Sequence, residues 1–195
     1  MKTRSILTSS ILLAATLAML SPASARAVAP ALVDDFSASD HTTGGAGRLV
    51  IDDKAAGSLS HGTQHCENGV LKVEGELIPG RGAPAFISVP LALTPDFKPQ
   101  DVRAYTGVRL RVKLIQGPLS IQVASADIQN FDYHSAVVVA KRGEFVEVRL
   151  PFSEFKRAWS EQTSLNPKSV TSVNLVAFAM AKTAFAYEVD EIGFY

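Results

Sequence analysis

Glu144-Phe145-Val146-Glu147-Val148-Arg149-Leu150-Pro151-Phe152-Ser153-Glu154-Phe155 is the stretch from which the fold can be read. Val146, Val148, Leu150 and Phe152 recur at period two, and Glu147 and Arg149 take the opposite face. That is the pattern of a strand with one dry side. Pro151 has no N–H to give a ladder, so the strand ends or runs along an edge there, with Phe152 and Phe155 folding back as apolar anchors under the next loop. A strand with one dry face needs a second layer to cover it.

Working outward, strand signals recur at regular spacing from Gly69, as an all-β sandwich or barrel produces. Val70 to Leu77 alternates, Pro79 to Gly82 is turn chemistry, and Ala85 to Leu93 is the next strand. Val108, Leu110, Val112 and Leu114 alternate with Arg109, Arg111 and Lys113, and after Gly117-Pro118 the alternation resumes over Leu119, Ile121 and Val123. Ser135 to Ala140 and Val173 to Met180 are apolar on both faces, which predicts central strands covered on each side. Phe185, Tyr187 and Val189 keep one phase and Ile192 and Phe194 the other, so a β-bulge absorbs one residue near Asp190-Glu191. Before these, Ala31 to Phe36 reads as a first strand and Ser37 to Gly47 as a glycine-rich loop. The loop is no phosphate cradle, because Arg48 to Asp52 behind it reads as a strand and not a helix. A second irregular patch then runs to Glu67, and Lys156 to Lys168 is the longest polar connection of the second half.

Residues 1–27 read as an address: Lys2 and Arg4 precede an apolar run from Ile6 to Leu20, and Ala25-Arg26-Ala27 supplies the small-x-small pattern of a signal-peptidase site. A periplasmic or secreted domain over residues 28–195 follows, with no later run long enough for a transmembrane helix. The chain has 19 basic and 19 acidic residues, three of the basic ones in the leader, so no electrostatic footprint for nucleic acid exists. Cys66 is the only cysteine, which rules out an intrachain disulfide. Oligomeric state is not fixed by these patterns.

Three constellations bear on function. Arg109, Arg111 and Lys113 line one strand face, and neighbouring segments offer Gln122, Asp132, Tyr133, His134, Glu147, Arg149 and Asn174. A sheet face with planar donors, carboxylates and a ring suits a sugar or a peptide, against the plainer reading of cross-strand ion pairs on a solvated face. Trp159, the only tryptophan, is either a stacking platform in the long loop or a core filler. His61, His65 and Cys66 bring two imidazoles and a thiol close in sequence, donors for zinc or copper in a metal-dependent enzyme or carrier if the segment folds back, although the spacing matches no closed zinc site. Asp34, Asp35 and Asp190 sit in the first and last strands. No nucleophile elbow, His-Glu-x-x-His, Walker or Rossmann pattern occurs; a non-catalytic module is the expectation, with an enzyme kept as the minority reading because missing motifs do not exclude catalysis.

Taken in order, Asp35-Phe36, Asp52-Asp53-Lys54 with Gly57-Ser58, Gly69 to Gly75, Asp101 to Val112, Val148 to Phe155 and Val189 to Ile192 resemble the complex I intermediate-associated protein 30 family. That family is similar in turn to carbohydrate-binding modules with a galactose-binding-like jelly roll. The resemblance implies an antiparallel jelly-roll β-sandwich and a binding module for a glycan or an envelope partner protein. The ligand-contacting residues, read from the sheet face and the lone tryptophan and not from the family, would be Arg109, Arg111, Tyr133, His134, Arg149 and Trp159, and related modules suggest a structural calcium at Asp35 and Asp190. An assembly factor of respiratory complex I is the alternative carried by the family name, although the secretory leader sends the chain the other way. Phe145 stands where the family usually has tryptophan, and Ile115 to Pro118 replaces its Gly-Asp-Gly turn.

Overall fold

The computed structural model describes residues 29–80 and 82–195; the leader expected over residues 1–27 lies outside them. The strands are β1 (Leu32–Asp34), β2 (Ile51–Asp52), β3 (His61–Glu67), β4 (Val70–Leu77), β5 (Ala85–Ala92) and β6 (Gly107–Gln116). They continue with β7 (Ser120–Ser125), β8 (His134–Val137), β9 (Val146–Pro151), β10 (Val170–Ala179) and β11 (Thr183–Phe194). Two antiparallel sheets stack: sheet one in the order β3-β4-β11-β6-β9, with β1 beside the far end of β11, and sheet two in the order β2-β5-β10-β7-β8. Each sheet gives one face to a common core. Sheet one contributes Leu71, Val73, Val108, Leu110, Val112, Phe185 and Tyr187, and sheet two contributes Ile87, Val89, Ile121, Val123, Val173 and Leu175. Burying each large apolar side chain contributes about 1.5–3 kcal/mol, so this interior is the main favourable term. Among the described residues no helix is long and apolar enough to cross a membrane.

The stretch that signalled the fold behaves as its pattern requires. β9 ends at Pro151 on the edge of sheet one, and a short 3-10 turn, Phe152–Glu154, swings Phe155 into the core at 2 % exposure. The ring of Phe152 meets those of Phe155 and Phe194, each at 6.3 Å. In β11 the register against β6 slips between Val189 and Glu191, where the change of phase places the extra residue.

Two expectations need correction. The patch ending at Glu67 is not irregular throughout, since His61–Glu67 forms β3 on the edge of sheet one. The alternation there is carried by glycine, threonine and histidine instead of aliphatic residues, so its period was masked. Ser135 to Ala140 is not a covered central strand either: β8 is the edge of sheet two, and Val137 and Val139 are exposed. An apolar run reports an absence of charge, not cover on both sides. β10, by contrast, is central between β5 and β7.

Candidate functional site

The two outer faces of the sandwich differ in chemistry. On sheet one the outward residues of β6, β9 and β11 form rows of opposite charge. Arg109 pairs with Glu191, Arg111 with Asp190, Lys113 with Glu188 at 3.2 Å and Arg149 with Glu147 at 2.7 Å. The bulge at Asp190 lets two successive acidic residues reach two arginines on the same side. Phe145 lies 5.0 Å from the Arg111 guanidinium and the Tyr195 ring 5.1 Å from that of Arg149. Each cation proposed for ligand contact is thus already met by a carboxylate, and two also by a ring.

The metal candidates are spread apart. His61 and His65 point outward from β3 four residues apart, roughly 13 Å along a strand, while Cys66 turns inward. There the thiol lies 3.3 Å from Arg48 Nη1, and burial pushes it up against the lowering effect of that guanidinium. Asp34 is fully buried, and both its oxygens are taken by Arg48, through Nε at 2.9 Å and Nη2 at 2.8 Å. Asp35 accepts from the hydroxyl and N–H of Ser37, which hold its carboxyl below the usual range, and Asp190 belongs to Arg111. Each of these carboxylates therefore already has its own partner, a guanidinium for Asp34 and Asp190 and Ser37 for Asp35. Among the described residues no three His, Cys, Asp or Glu side chains gather around a point that would hold a metal.

Sheet two presents a different surface. Its core-facing residues alternate with outward ones, and the pairing sets Pro90, Asn174, Gln122 and Ser135 in one row across four strands. Ser172 Oγ donates to Asn174 Oδ1 at 2.7 Å, and Asn174 Nδ2 donates to Gln122 Oε1 at 3.4 Å. Beyond β8 the backbone of Lys156 continues the row through a reciprocal pair of 2.9 Å bonds with Ser135. No side chain that these five strands turn outward is charged.

Beside this row lies a knot built on Asp132. Its carboxylate, 1 % exposed, accepts the N–H groups of Ala158 at 2.8 Å, Trp159 at 3.1 Å and Ser160 at 2.7 Å. Arg157 Nε donates to the Asp132 carbonyl at 3.2 Å and Nη2 to Asn130 Oδ1 at 3.1 Å, while Asn130 Nδ2 reaches Ser160 Oγ at 2.9 Å. The knot fixes the backbone from which three rings project: Trp159 is 66 % exposed, Phe131 is 74 % exposed, and Tyr133 stands edge-on to Phe131 at 6.3 Å. Phe131 takes φ 61°, a left-handed conformation that costs a side-chain-bearing residue roughly 1 kcal/mol or more and is held where the surroundings over-determine it. His134, next in sequence, turns into the interior, where its Nε2–H donates to the Thr163 carbonyl at 2.8 Å. A cavity of about 370 Å³ opens alongside, lined by Phe152, Phe155, Lys156, Thr163 and Leu165 among others.

The six residues expected to contact ligand are therefore divided. Arg109, Arg111 and Arg149 lie on the outer face of sheet one, Tyr133 and Trp159 beside sheet two, and His134 inside. Gln122 and Asn174, grouped in the sequence with the arginines, lie on the far side of the sandwich from them. Ser135, two residues from Tyr133, and the exposed ring of Phe131 were not among the expected contacts; the left-handed backbone at Phe131 takes it out of strand alternation.

A family 11 carbohydrate-binding module from Clostridium thermocellum aligns with 86 % of this chain and 96 % of its own, at a TM-score of 0.58 and 15 % identity. The same family's module from a cellulosomal cellulase of that organism aligns with 86 % of this chain and 95 % of its own, at 0.59 and 15 %. These similarities establish the jelly-roll fold. None of the curated proteins matches this chain. Residues 35–189 match the complex I intermediate-associated protein 30 family, so the chain belongs to that family.

Proposed function

We propose that this chain is an exported, non-catalytic module that binds a glycan on the outer face of sheet two. The sugar's hydroxyls would meet Gln122, Asn174 and Ser135, and its apolar faces would rest on Trp159 and Tyr133. The observation that carries this reading is the exposed Trp159 on a loop whose backbone Asp132 holds at three points, beside an uncharged row of amides and hydroxyls. Rigid rings beside a few fixed polar groups are what a sugar with alternating polar edges and apolar faces requires. The fold is shared with a module seen with a β-1,3-1,4-mixed-linked tetrasaccharide, which supports the class of ligand.

The test is a glycan array followed by titration of the leader-cleaved chain. Trp159→Ala should lower affinity by about tenfold or more, as loss of a central aromatic anchor does, with little change in melting temperature. Arg111→Ala should leave affinity unchanged. If Arg111→Ala weakens binding and Trp159→Ala does not, the site belongs on sheet one. If the array is blank and an envelope extract yields a protein partner, the glycan reading fails.

A further inference from the structure

The outer face of sheet two has a second half that the sugar reading leaves unused. Towards the C-terminal end of β10 the outward row after Asn174 is Ile51, Ser88, Val176, Ser120 and Val137, and the row after that pairs Phe178 with Phe86. Val137 is 66 % exposed, Ile51 44 % and Phe178 40 %, while Val176 forms a nearly closed floor between them. These exposed apolar side chains contrast with the outer face of sheet one, where Arg109, Arg111, Lys113 and Arg149 are met by carboxylates.

We infer that the ligand of this face is an amphiphilic glycoside, with its sugar on the amide row and an alkyl or acyl chain lying over Val176 towards Phe178; this rests on the glycan reading above. Three observations converge. The row in which Ile51, Val176 and Val137 alternate with Ser88 and Ser120, and the Phe86–Phe178 pair beyond it, follow directly on the amide row along the same strands, so head and tail would bind as one molecule. The outward residues of these strands carry no charge, and Lys156 adjoins the face beside Ser135 in the polar row, so the stretch from Val176 to Phe178 matches a neutral tail. From Asn174 to Phe178 β10 advances roughly 13 Å, which an alkyl chain of about eight carbons largely covers. A methylene fully removed from water contributes about fourfold in affinity, so a tail half covered on an open face should raise affinity on the order of tenfold to a hundredfold.

The experiment titrates the leader-cleaved chain with octyl β-D-glucopyranoside below its micelle concentration, with methyl β-D-glucopyranoside, and with the mixed-linked tetrasaccharide. The expected result is octyl over methyl by at least about tenfold. Phe178→Ser or, independently, Val137→Ser should reduce that ratio and leave tetrasaccharide affinity unchanged. Equal affinity for the two glucosides with the tetrasaccharide still bound overturns the tail and leaves the glycan reading standing; loss of all three removes both. An octyl detergent without sugar that binds as tightly as the glucoside also overturns it, as does a dimer in sedimentation that Phe178→Ser dissolves, which would assign the face to a second copy.

Discussion

Asp132 shows how one residue can decide the shape of a binding loop. Burial by itself would push its carboxyl up, but the N–H groups of Ala158, Ser160 and Trp159 and the Ser160 hydroxyl outweigh burial and hold it below the ordinary value of 3.8. A carboxylate depressed in the folded state contributes stability that is complete above its unfolded value and is lost as pH falls through its folded value. Melting temperature should therefore fall with acidification below about pH 4, and that slope should flatten in Asp132→Asn. At neutral pH the same substitution turns an acceptor of three N–H groups into a mismatched amide, costing about 1–3 kcal/mol. Trypsin should then cut sooner after Lys156 and Arg157. Unchanged cleavage and an unchanged acid slope would show that Asp132 does not hold the loop.

Among the elements, β3 depends most on an exact fit. Gly62 and Gly75 face each other between β3 and β4, and the Phe185 ring fills the space that both leave on the core side. A Cβ on Gly75 would lie 2.7 Å from Gly62 Cα and 2.9 Å from a Phe185 ring carbon, and closer still to the His61 carbonyl. Gly75→Ala should accordingly cost about 1–3 kcal/mol, because backbone cannot yield as a flexible side chain does. Hydrogen exchange should locate the damage, with amides of His61–Glu67 losing protection and those of Val170–Ala179 keeping it. Equal protection in the variant would mean that the glycine pair is not what seats β3. β8 makes the converse point, since its exposed Val137 and Val139 are tolerated at a sheet edge where β10 needs its core-facing valines and leucine buried.

At the scale of the whole molecule, one sandwich carries a self-paired charged face and a second face whose five strands turn no charged side chain outward. The cation that its first strand requires is built in, because Arg48 takes both oxygens of the buried Asp34. Melting temperature should be the same in excess calcium and in chelator; a rise of several degrees with calcium would show an ion stabilising the fold beyond the guanidinium. Period-two alternation in β4, β6, β7 and β9, the phase change in β11 and Pro151 at the end of β9 were all legible in the chain, because they follow from local geometry that any sheet imposes. The sequence by itself therefore determined the all-β class, the bulge and most strands. What only the tertiary structure decided was which outward residues share a face. Arg109 and Asn174 alternate against the core in the same way, and nothing local distinguishes one sheet from the other. Their separation to opposite sides comes from which strands pair, set by contacts between residues far apart in the chain.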